Sequence, residues 1–144
     1  MKRTLALTAA VVLVGLGAAH AQAPDPIKLR QTIFDLNGGS FAFLKSVAAT
    51  KGDLKAAEPV ARGIARWAAL IPAMFPPGSD KGDTKALPEI WSDSAGFQKD
   101  AASFGDAATK VADAAKAGDA DAFAANVKSL GDACGACHKA YRAK

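Results

Sequence analysis

Residues 119–142 read DADAFAANVKSLGDACGACHKAYR. Phe123, Val127, Leu130, Cys134, Cys137 and Tyr141 recur at steps of three and four. That spacing lines one face of an α-helix and is incompatible with the alternation of a strand. Asp119 stands in front as an N-cap acceptor. The same register runs through three other stretches. Asp25-Pro26 is a helix start, followed by Ile27, Arg30, Phe34, Asn37, Phe41, Leu44 and Ala48 on one face. Gly38-Gly39 weakens the middle of that helix, and Lys51-Gly52-Asp53 ends it. The second stripe is Val60, Ile64, Trp67, Ile71 and Met74. Pro59 predicts that its regular helix begins nearby, Pro72 predicts a kink or an early end, and Pro76-Pro77-Gly78 stops it. The third stripe is Phe97, Ala101, Phe104, Ala108, Val111 and Ala115, with Asp93 as cap and Gly118 as stop. Residues 76–93 form a long connection rich in Pro, Gly, Asp and Ser. Nothing beyond the N-terminal segment carries β-branched alternation, so no strand is expected.

Four helices, each with one apolar stripe and mostly short connections, predict an all-α fold: an antiparallel up-down-up-down four-helix bundle. In that order the start of the first helix, the end of the second, the start of the third and the end of the fourth meet at one end. Phe34, Phe75, Trp91, Phe97 and Tyr141 all fall toward it.

Residues 1–21 read differently. Met1-Lys2-Arg3 is a short positive start, Leu5 to Ala19 is almost wholly apolar, and Ala19-His20-Ala21 offers small residues around a cleavage site. This is the three-part pattern of a secretory signal, and the apolar run is shorter than the roughly 20 residues of a membrane span. We expect cleavage after Ala21, with Ala23 as a second site, leaving a 22–144 bundle domain that is exported and free of the membrane. The 144 residues suit one domain, and 50% apolar with 22% charged residues is a globular composition. The net charge of +4 drops to +2 without Lys2 and Arg3, which gives no reason to expect a nucleic acid partner. Two cysteines and two histidines exclude a disulfide scaffold and a zinc site of four Cys/His ligands. Only 7% of residues are aromatic, and alanine dominates the apolar set, so the core is thin.

Cys134-Gly135-Ala136-Cys137-His138 carries the chemistry. Cys-x-x-Cys-His fits a thiol redox pair, a buried structural pair with an incidental histidine, or covalent haem attachment. No βαβ pattern surrounds it, which counts against the first. On a helix, positions 134, 137 and 138 share one face. Two thioethers then reach a porphyrin edge while His138 projects over the iron as metal ligand. Export favours this reading, and a haem would supply the apolar body that an alanine core lacks. Removal of the leader takes Met1 and His20, so a sixth ligand could come only from Met74, a lysine or something weaker. The default is five-coordinate iron with one open face. A low-spin electron carrier with Met74 on the iron is one alternative. A peroxidase-like haem enzyme is another, without a distal histidine to act as acid and base. No Ser/His/Asp or paired-carboxylate constellation can be built around the single remaining histidine, so no catalytic residue is assigned.

With these motifs the chain resembles the cytochrome c′ family, themselves examples of four-helix bundles. The resemblance rests on Ile27-Lys28-Leu29-Arg30-Gln31, Pro88-Glu89-Ile90-Trp91-Ser92-Asp93, Phe97 and Ala117-Gly118-Asp119. It rests most specifically on Cys134-x-x-Cys137-His138-x-x-Tyr141-Arg142 at the C-terminal end. It implies a periplasmic protein with one covalently attached haem c, often a homodimer through its first two helices. Its iron would be high-spin and would take nitric oxide or carbon monoxide more readily than oxygen. Electron transfer to an unknown redox partner protein is the other implied role. Arg30 and Gln31 match positions near the haem propionates, and Arg142 matches the basic residue beside the iron-bound histidine. Phe34 matches the position over the open iron face, commonly leucine in high-spin members and methionine in low-spin ones.

Overall fold

The computed structural model describes residues 24–144; the expected leader, residues 1–21, lies outside the described residues. Asp25 caps α1 (Pro26–Thr50) by accepting from the Ile27 N–H, with Pro26 at the first turn. Lys51 ends α1 in the left-handed region at φ 52°. Asp53 then caps α2 (Leu54–Ala68) through the Lys55 N–H. The helix thus begins five residues before Pro59, which sits inside it on an exposed face. The cap, rather than the proline, sets the start.

α2 ends at Ala68, and a 3₁₀ turn spans Pro72–Met74. Pro72 explains the early end, because its ring would meet the Ala68 carbonyl four residues back and it has no N–H to satisfy it. The connection that follows contains a one-turn helix, α3 (Glu89–Ser92), which the periodicity did not foretell. Asp93 caps α4 (Ser94–Ala117), which stops at Gly118 with φ 73°. Asp119 caps α5 (Ala120–Tyr141).

The four long helices form the expected bundle. α1 packs on α2 and α5, α2 on α4, and α4 on α5. The core is built largely of Leu44, Ile64, Phe97, Phe104, Val111, Phe123, Val127 and Leu130 with interleaved alanines. Small residues let α2, α4 and α5 approach closely, whereas α1 is the least embraced of the four. An open cleft of about 680 Å³ remains between α1 and α5, between Phe41, Ala48, Val127 and Gly131. A Cβ at Gly131 would sit 3.0 Å from the Phe41 ring, so any larger residue there would push that ring toward the cleft. Among the described residues the extended pairing amounts to one isolated antiparallel bridge, Ala86 to Arg142, which fastens the long connection to the end of α5.

Candidate functional site

The last turns of α5 carry Cys134, Cys137 and His138 on one face, as the spacing requires. Both thiols are half-buried against the core. Burial pushes the Cys134 thiol up. Burial, followed by the charge of Asp100 and then by Cys134, pushes Cys137 up to about 11. Both sulfurs are therefore protonated at neutral pH, the opposite of the low-pKa thiolate that a redox pair needs. His138 is exposed, and its imidazole is held below its ordinary pKa, first by desolvation and then by the charge of Arg142. A neutral imidazole can ligate a metal; an imidazolium cannot. Two neutral thiols three residues apart, followed at once by a neutral imidazole, fit the donor set of haem c. The cleft beside Gly131 leaves apolar room one turn before Cys134. Among the described residues no group of three or more His, Cys, Asp or Glu is placed to hold a metal ion without a porphyrin.

The end of the bundle beside this motif is aromatic. Phe75 packs at 5.1 Å on Phe97, 6.1 Å on Trp91 and 6.3 Å on Phe34, while Phe97 meets Tyr141 edge-on at 5.1 Å. Phe34 also sits edge-on to Trp67 at 5.3 Å, with their planes at 84°. Its half-buried ring has no hydrogen-bond donor to offer. Trp67 reaches Phe104 on its other side and donates its indole N–H to Asn37 Oδ1 at 3.2 Å. This accounts for Asn37 as a polar residue in an apolar stripe. Trp91 donates to the Phe75 carbonyl at 3.0 Å and holds the 3₁₀ turn in place. Met74 is half-buried on that turn rather than on α2.

Arg30 is 3% exposed. It donates to Ser79 Oγ, the Ser79 carbonyl and Thr84 Oγ1, each at 2.8 Å, and its guanidinium lies 4.5 Å from the centroid of the Phe75 ring. Burial lowers its pKa, only partly offset by the charge of Asp25. No carboxylate bonds to it among the described residues. A buried cation with no anionic partner is costly, and three of its five N–H donors are committed, leaving two for an anion. Gln31 donates to the Asp83 carbonyl at 2.8 Å. Both side chains therefore strap the 79–84 loop onto the start of α1, a role that sequence reasoning missed. Neighbouring glycine and aspartate in that loop were the only signal. Arg142 is exposed and extended; its N–H bonds the His138 carbonyl at 3.1 Å.

Asp93 and Tyr141 were legible as a cap and a core aromatic, but not as partners. The Tyr141 hydroxyl donates to Asp93 Oδ2 at 3.0 Å. Burial first, then this bond and the charge of Asp93, pushes the phenol up to about 12.

The family described as Cytochrome C′ matches residues 25–142. A cytochrome c′ of Alcaligenes xylosoxydans xylosoxydans is 36% identical over 126 residues, covering 86% of this chain and 98% of the relative. A cytochrome c′ of Rubrivivax gelatinosus is 36% identical over 123 residues, covering 83% of this chain and 95% of the relative. Among solved structures, the nitric oxide complex of a leucine-to-alanine mutant of cytochrome c prime from Alcaligenes xylosoxidans superposes with a TM-score of 0.76. It is 35% identical and covers 83% of this chain and 94% of that one.

Proposed function

The chain belongs to the cytochrome c′ family and carries haem c, and from that premise we propose that it is a periplasmic, mono-haem gas-binding cytochrome with five-coordinate high-spin iron. The observation that carries the reading is the end of α5: two protonated, half-buried thiols and a neutral imidazole in one helical register. When bound, the haem supplies an iron that takes small diatomic ligands and can change oxidation state.

This chain's own residues do the rest. Cys134 and Cys137 anchor the porphyrin edge, and His138 presents its imidazole to the metal. Phe34, backed by Trp67 and Phe75, would supply the apolar volume over the open face of a bound haem. Such a surface excludes water and gives a polar bound ligand such as oxygen nothing to bond to, so nitric oxide and carbon monoxide are favoured over it. Arg30 keeps two uncommitted N–H groups, which would suit a haem propionate. The gas-ligand reading also draws on the nitric oxide complex reported for the Alcaligenes xylosoxidans protein.

Leu29, Leu36 and Phe43 stand exposed at intervals of seven on the outer face of α1, with Leu36 68% exposed. This stripe supports a homodimer in which α1 meets a second copy. No helix among the described residues is long and apolar enough to cross a membrane, and the expected leader supports export.

The test is the absorption spectrum of the purified ferric and ferrous protein, with acid–acetone extraction of the denatured chain. High-spin spectra and haem retained by the chain are expected. Extractable haem would remove the thioether assignment, and low-spin spectra would remove the open iron face.

A further inference from the structure

No hydrogen bond reaches the His138 ring among the described residues, although a ligating imidazole is normally oriented by a partner on its other nitrogen. His138 is exposed and lies within the last turn of its helix, where ends fray. That end of the helix is nonetheless fastened to the 85–87 connection and to the start of α4. The Leu87 N–H donates to the Tyr141 carbonyl at 3.0 Å, and the Ala143 N–H donates to the Lys85 carbonyl at 2.8 Å. The Tyr141 ring is buried against Phe97, and its hydroxyl donates to Asp93 Oδ2 at 3.0 Å. Asp93 divides its carboxylate, since Oδ1 accepts from the Gly96 N–H at 3.1 Å as the cap of α4.

Gly96 is what lets these groups meet. A Cβ there would lie 2.2 Å from Asp93 Oδ2 and 2.7 Å from the Tyr141 hydroxyl oxygen. Asp93 Cγ would be only 2.8 Å away as well, and the Tyr141 ring is buried against Phe97, so an added methyl would push the whole Asp93 carboxylate aside. An alanine would open the latch and also disturb the cap of α4, which uses the same carboxylate.

We propose that the Tyr141–Asp93 hydrogen bond, admitted by the bare Cα of Gly96, is a positioning device that holds the last turn of α5 and so aims the imidazole of His138. The proposal rests on the reading of His138 as the iron ligand. Gly96→Ala breaks the latch from the other side, through the shared carboxylate, at the cost of the α4 cap. Tyr141→Phe removes only the hydroxyl and keeps the packing on Phe97.

The experiment compares the haem-loaded wild type, Gly96→Ala, Tyr141→Phe and the double variant. Three quantities are read: the iron–histidine stretching band of the ferrous protein by resonance Raman, amide exchange at Leu87 and Arg142, and the melting temperature. Each single variant should shift or broaden the band and speed exchange at those amides about tenfold. The double variant should match either single, because all three lack the same bond. Tyr141→Phe should do this with only a small fall in melting temperature, because the Asp93 cap of α4 and the ring packing on Phe97 both remain, whereas Gly96→Ala should lower it further. Unchanged band and exchange in both single variants, with haem still covalently bound, would overturn the latch. A wild-type protein with covalent haem and no iron–imidazole band would overturn the ligand assignment, and the latch with it.

Discussion

Arg30→Leu tests the strap across the start of α1. The substitution keeps most of the side-chain volume and removes every donor. Ser79 is 5% exposed, and its hydroxyl and carbonyl would both lose a bond now 2.8 Å long. Thr84 Oγ1 would lose one partner but still accept from the Ala86 N–H at 3.1 Å. Orphaning a buried polar group costs about 1–3 kcal/mol, and the contact between the guanidinium and Phe75 contributes about 1 kcal/mol. Against this stands the cost of keeping a cation buried, visible in the lowered pKa of Arg30 and recovered when leucine replaces it. The net expectation is a loss of about 3 kcal/mol, or roughly 10 °C in melting temperature for a chain of this size. Thermal unfolding by circular dichroism reads the first quantity. Hydrogen exchange across 79–84 reads the second, and it should rise in that loop before it rises in α4. A melting temperature within about 2 °C of wild type, with unchanged exchange in the loop, would show that Arg30 is not what holds it. The physical argument of a satisfied buried cation would then fail.

Phe34→Ala should speed carbon monoxide and nitric oxide binding and cost about 2 kcal/mol, below the range for a fully buried ring because Phe34 is half-buried; flash photolysis rates that do not move would make it ordinary packing. Tyr141 is protonated in both folded and unfolded chains below pH 10. As pH rises from about 10, its unfolded value, toward about 12, its folded one, the unfolded chain loses that proton first. Stability from this group should therefore be complete below pH 10 and gone above about 12, and Tyr141→Phe should flatten that part of a denaturation series against pH. Leu36→Glu places a charge in the exposed stripe of α1 and should yield monomers in sedimentation velocity where the wild type gives dimers; an unaltered dimer would move the interface off α1.

The helices and their ends were legible because they depend on neighbours in the chain. Asp25, Asp93 and Asp119 cap within three residues of themselves, and Gly118 needs only its own positive φ. The register of Cys134, Cys137 and His138 is likewise a property of one helix. Pro72 announced the early end of α2, although not that the break would fall at Ala68. What the sequence could not disclose is which polar side chains find each other across the bundle. Arg30 and Ser79 are 49 residues apart, and Tyr141 and Asp93 are 48 apart. Asn37 looked like a flaw in a stripe until Trp67 was placed opposite it. Nor does the sequence show that a side chain at Gly96 would meet the Asp93 carboxylate and the Tyr141 hydroxyl. Periodicity reports only which way a residue faces along its own helix. The depth of packing, the rotation of one helix against the next and the path of the 69–93 connection set the partners, and these are fixed only when the four helices close on one another.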